Sequence, residues 1–139
     1  MGASMQQLSL GELVKQALLH TGCDPALIRE LDHHATVQID LSDGPALFVG
    51  NLEERVVIWS DLCEFHDSIV RMRSQALLQE LMAGFPYSAN KQLVLRESEG
   101  QLQVYADVAA ACLADVDAMA EAINAFFESQ TRLLEIIRQ

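Results

Sequence analysis

ERVVIWSDL, Glu54 to Leu62, decides how the chain is read. Two valines, an isoleucine and a tryptophan in one unbroken run favour a strand. Strand side chains alternate, so Val56 and Ile58 point one way and Val57 and Trp59 the other. Both faces are therefore apolar in the middle, in a chain of formal net charge -11. One face can rest on the protein's own core. The face carrying Trp59 needs a second cover.

The segments on either side extend the pattern. Upstream, ATVQIDL (Ala35–Leu41) alternates, with Val37, Ile39 and Leu41 inward and Thr36, Gln38 and Asp40 outward. SDGP (Ser42–Pro45) is a turn signal. ALFVG (Ala46–Gly50) follows, then turn residues from Asn51 to Glu54. The short connections predict an antiparallel meander. Downstream, the spacing predicts a helix over about 67–83, closed by Gly84 and Pro86. Its apolar residues, from Ile69, Val70 and Met72 to Leu81 and Met82, cover more of its circumference than one sheet requires. Two readings fit: a helix sunk in a core, or one shared between its own sheet and a second subunit. A hairpin follows, QLVLRES (Gln92–Ser98) and QLQVYADV (Gln101–Val108), turning around Ser98–Gly100.

The ends are helical. Ser9-Leu10-Gly11-Glu12 is a capping box, with Leu8 and Leu13 at the staple positions. Leu10, Leu13, Val14, Ala17 and Leu18 make one stripe, and Gly22 and Pro25 close a helix over about 10–21. A short helical turn is expected through Pro25–Leu31. The last helix spans about 115–137, with Asp115 and Asp117 at its start and Arg132 and Arg138 near its end, as the helix dipole favours. The predicted class is α+β: three helices and a mostly antiparallel five-stranded sheet, in the order α-β-β-β-α-β-β-α.

Composition limits the function. A chain of 139 residues fits one domain, placed at 5–139, with MGAS (1–4) expected to be an added or disordered extension before Met5. A pI near 4.5 and nine scattered Lys and Arg argue against nucleic acid, since phosphate binding draws on cations. No run approaches the length of a membrane span. Cys23, Cys63 and Cys112 form no CxxC pair and fit reduced thiols in the cytoplasm.

The motifs of catalysis are missing. Cys63-Glu64-Phe65-His66 is half of a zinc spacing, but no second pair completes it, and His33-His34 read as loop histidines. Asp40 to Gly44 resembles a calcium loop with the wrong spacing and no closing glutamate. There is no GxSxG, GxGxxG, P-loop or HExxH. No enzyme, metal or cofactor is expected. What remains is surplus apolar surface beside strand edges, the means by which proteins capture extended peptides. A ligand-binding α+β domain and an adaptor joining folded partners are the alternatives.

The run MQQLSLGELVKQALLHTGCDPALI, Met5 to Ile28, resembles the start of the InvB/SpaK family, class IB chaperones of bacterial type III secretion. Gly22-Cys23-Asp24-Pro25 followed by Leu27-Ile28 carries most of it. The VVIW strand and the Gln92–Val104 hairpin are also similar. The resemblance implies a cytoplasmic homodimer without catalysis. Such a protein binds the N-terminal chaperone-binding segment of secreted effectors in extended form. It keeps effectors soluble and helps deliver them to the export apparatus. Combined with the residue pattern, it predicts a groove for the effector from Val14, Leu18, Leu27, Ile28, Val37, Ile39, Phe48, Val57 and Trp59, with core packing the competing role for Val37 and Val57. It predicts a dimer interface from Ile69, Met72, Ala76, Leu78 and Met82 on the second helix.

Overall fold

The computed structural model describes residues 9–31, 36–41 and 44–139. Its elements are α1 (Leu10–His20), a 3-10 turn (Pro25–Leu27), β1 (Ile28–Leu31), β2 (Thr36–Leu41), β3 (Gly44–Leu52), β4 (Arg55–Glu64), α2 (Asp67–Met82), β5 (Val94–Ser98), β6 (Gln101–Asp107), α3 (Ala110–Leu113) and α4 (Val116–Ile137). The expected staple residue Leu8, the 1–4 extension, His33-His34, Ala35 and the Ser42-Asp43 half of the first turn lie outside the described residues.

Local chemistry sets the boundaries. Ser9 Oγ accepts from the Glu12 backbone N–H at 3.1 Å and opens α1. Gly22 closes it with φ 88°; the Cys23 N–H reaches the Leu18 carbonyl and the Gly22 N–H the Leu19 carbonyl, the paired bonds of a Schellman motif. The Asp24 side chain accepts from the Ala26 N–H at 3.0 Å and caps the 3-10 turn, which begins on Pro25. At the far end Asp115 accepts from the Asp117 N–H and starts α4.

The strands form one antiparallel sheet in the order β1-β2-β3-β4-β6-β5. The class is the predicted α+β, but among the described residues the sheet has six strands where five were expected. The extra strand is β1. The helical turn expected through Leu31 stops at Leu27, and Ile28–Leu31 pairs with β2, Ile28 opposite Ile39. Four residues are too few for alternation to register in sequence. A fourth short helix, α3, precedes α4. The reversal between β3 and β4 is also tighter than expected. Asn51 and Leu52 belong to the strand, and only Glu53 and Glu54 turn, both with positive φ (52° and 67°). Two positive φ values are what a two-residue hairpin with right-handed strand twist requires, and glutamate gives no hint of it in sequence.

The register lines residues up in rows across the sheet. One row joins Val37, Val49, Ile58 and Ala106. The next, one residue along each strand, joins Gln38, Phe48, Trp59 and Tyr105. The first row is buried under α1 and α4 in the core with Val14, Met119 and Phe126. α2 packs on α4, burying Leu77 and joining Glu80 Oε2 to Arg132 Nε at 2.8 Å. It therefore lies with the other helices and does not cover Trp59 in its own chain. Nor is it sunk in the core, since Met72, Leu78 and Met82 stay exposed.

Candidate peptide-binding trough

α4 carries two adjacent phenylalanines that cannot share one environment. Successive helical residues point about 100° apart. Phe126 is fully buried, edge-on to Phe85 at 6.1 Å between ring centroids. Phe127 is 40 % exposed and faces a trough between α4 and strands β2 and β3.

Two adjoining cavities form the trough, and both are lined by Leu41 and Phe127. One, of about 210 Å³, lies between Leu18 of α1, Ile39 and Leu47 of the sheet and Ile123 of α4. The other, of about 330 Å³, continues past Gly44, Gln130 and Leu134 to Arg138. The lining residues run from Ala120 of α4 to its C-cap, Arg138. At helical rise that is about 27 Å, room for roughly eight residues of extended chain.

The walls are apolar and the ends are charged. His20 Nε2 sits 3.0 Å from Asp117 Oδ1 at one end, in an adjoining polar hollow. Glu135 and Arg138 stand at the other. Burial, with help from the Asp24 carboxylate, pushes the Cys23 thiol above its usual pKa, so the sulfur on the wall is a neutral thiol. Among the described residues, no group of His, Cys, Asp and Glu gathers where it could hold a metal ion, and no helix is long and apolar enough to cross a membrane.

The floor is held by a buried polar knot. Gln130, 1 % exposed, donates from Nε2 to the Pro45 carbonyl and to Ser60 Oγ, both at 2.8 Å. A single amide thereby ties α4 to β3 and β4, and the two central strands and the longest helix share one fixed register.

The single groove expected from sequence is divided by the sheet. Leu18 and Ile39 do line the trough. Val14 and Val37 have no exposed surface and belong to the core beneath it. Leu27 is exposed, and Ile28 packs partly against the core on the edge strand. Phe48, Val57 and Trp59 lie on the opposite face, where Phe48 and Trp59 stack with ring centroids 5.3 Å apart. A strand residue faces one side only, so these three cannot join Leu18 in one groove. Of the residues expected at a dimer interface, Met72, Leu78 and Met82 are exposed and Ile69 and Ala76 are half-buried.

Sequence reasoning missed Phe127, Leu134 and Gln130, and took Leu41 only as an inward residue. The tandem Phe126-Phe127 was the available signal, because one of the two has to leave the core.

The chain matches the Invasion protein B family over residues 22–99. It is 33% identical over 123 residues to the surface presentation of antigens protein SpaK of Salmonella typhimurium, covering 88% of this chain and 91% of that one. Among solved structures it resembles a chain of the heterodimeric ExoU-SpcU complex from the type III secretion system of Pseudomonas aeruginosa, at a TM-score of 0.56 and 23% identity, covering 88% of this chain and 95% of the other. It also resembles a chain of the HopA1-SchA chaperone-effector complex, at a TM-score of 0.63 and 18% identity, covering 94% and 97%. These likenesses give the six-stranded α+β fold its place, and the match across the first helix-to-sheet junction, the central strands and α2 gives the chain its own: it belongs to the Invasion protein B (InvB/SpaK) family of type III secretion chaperones.

Proposed function

We propose that this chain is an effector chaperone. It holds the N-terminal chaperone-binding segment of secreted effectors in extended form and keeps them soluble and competent for secretion. The observation that carries this reading is the apolar trough along α4, open at Phe127 and floored by β2 and β3, with the edge strand β1 next to β2. Apolar side chains of the segment enter the trough, and its backbone can pair along β1. Each large aliphatic side chain buried there contributes roughly 1.5–3 kcal/mol, so two or three offset the cost of ordering the segment.

The same reading makes the chaperone a cytoplasmic homodimer without catalytic activity that hands effectors to the export apparatus. The apolar surface left outside the protomer core supports the dimer: the Phe48–Trp59 stack on one side, Met72, Leu78 and Met82 on the other. The net charge of -11 favours solubility of the loaded complex and repels nucleic acid.

Co-expression with tagged N-terminal segments of secreted effectors tests the proposal. A soluble complex is expected with the wild type and none with Phe127→Asp, whose circular dichroism should match the wild type. Binding only to folded domains, or equal capture by Phe127→Asp, would remove the trough from the mechanism.

A further inference from the structure

Ile28 and Glu30 of β1 stand opposite Ile39 and Val37 of β2. Opposed residues of an antiparallel pair share a face, so both turn toward the helices that bury Ile39 and Val37. Ile28 packs partly against the core there. Glu30 instead brings a carboxylate to that side, and it comes to rest against Gly11 in the first turn of α1. A Cβ built on Gly11 would overlap Oε2 of Glu30 and lie 3.2 Å from its Cδ. Gly11 is buried and helical, and its φ is not positive, so no left-handed turn calls for glycine here. Glycine is a poorer helix former than alanine. What Gly11 contributes is the room it leaves for the carboxylate.

We infer that Glu30 and Gly11 form a latch that fastens the edge strand to α1, with Gly11 the positioning residue that admits the carboxylate. The inference rests on the chaperone reading and deepens it. The latch keeps together two parts of the client site: the strand edge that the client backbone meets, and α1, whose Leu18 lines the trough. β1 needs the fastening. It is four residues long and pairs with β2 alone, because its other side is the edge of the sheet. Arg29, held to Asp40 at 2.8 Å, ties β1 to β2 but to no helix. The first turn of α1 suits an acidic partner, since the backbone N–H groups there lack intrahelical acceptors and carry partial positive charge. A client segment then meets a strand already in place and does not bear the cost of ordering it.

Gly11→Ala tests the latch by amide hydrogen exchange and by affinity for a phage-selected peptide that wild type binds and Phe127→Asp does not. Alanine favours the helix, so the urea midpoint should hold or rise. The amides of Ile28–Leu31 should nevertheless exchange faster, and peptide affinity should fall about fivefold, the scale of a charge removed from a helix end. A merely structural role for Gly11 would move stability and affinity together. Glu30→Gln, at an exposed position, should give the same two losses and keeps the test decisive should Gly11→Ala disturb the helix. The double variant should lose no more than either single one, because both remove one contact. Unchanged exchange at Ile28–Leu31, unchanged affinity or additive losses would overturn the latch and leave the chaperone reading intact. Failure of the wild type to bind any peptide through Phe127 would overturn the chaperone reading, and with it the latch's part in holding a client.

Discussion

Two neighbouring rows of the sheet have opposite fates. Val37, Val49, Ile58 and Ala106 are at most 1 % exposed beneath α1 and α4. Gln38, Phe48, Trp59 and Tyr105, one residue along each strand, are half-buried on a face that no long helix among the described residues covers. The small and β-branched residues lie where packing space is fixed by helices. The aromatic ones lie where it is not. Their partial burial comes from each other: Phe48 stacks on Trp59, and the Arg96 guanidinium lies 4.5 Å from the centroid of the Tyr105 ring. Around them runs a polar chain, Arg96 Nε to Gln103 Oε1 at 2.9 Å and Gln103 Nε2 to Asp61 Oδ1 at 3.0 Å. One face of the sheet is thus finished by folding. The other is left half-open in the single chain.

The contrast can be broken or sharpened by substitution. Phe126→Ala, on the finished side, should cost about 3–5 kcal/mol in urea unfolding, because it empties a fully enclosed site. Its neighbour Phe127→Asp should change stability by under about 0.5 kcal/mol, since the ring stands outside the core. Equal losses would mean that the trough is part of the core. Trp59→Asp, on the open side, should weaken self-association by about 2–4 kcal/mol and halve the mass seen by light scattering at micromolar concentration. An unchanged mass would return the aromatic row to a solvent-facing role. Ser60→Ala leaves a Gln130 N–H without its partner and should cost about 1–3 kcal/mol in the same unfolding experiment. The smallest expected effect is a gain. Glu54→Gly relieves a left-handed backbone at a turn and should raise stability by about 1 kcal/mol.

Much of this contrast was legible in the sequence. Alternation through VVIW placed Ile58 and Trp59 on opposite faces, and the demand for a second cover followed from it. Sequence could not say on which side each helix would settle. α2 has a broad apolar circumference that suits either face, and the decision is made by Leu77 and Glu80 meeting α4. The groove was legible only in part for the same reason. Leu18 and Ile39 were identified because they sit on strongly periodic elements. Phe48, Val57 and Trp59 were grouped with them because apolarity does not label which face of a sheet a residue joins. Gln130 was invisible: one polar residue on a long amphipathic helix carries no mark of burial until its partners, Pro45 and Ser60, arrive from two neighbouring strands far away in sequence.

The edge strand β1 has a further consequence. An edge strand with unpaired backbone groups would ordinarily accept another copy of itself. In a symmetric antiparallel pairing that extends the sheet, side chains of one face stay opposite the same face, so the pairing centres on a single residue. In Ile28–Leu31 the central choices are Arg29 against Arg29 or Glu30 against Glu30. Either sets like charges directly opposite, which disfavours the match. Arg29 is also held to Asp40 of β2 at 2.8 Å, so charged side chains stand where self-pairing would centre, which disfavours polymerisation through this edge.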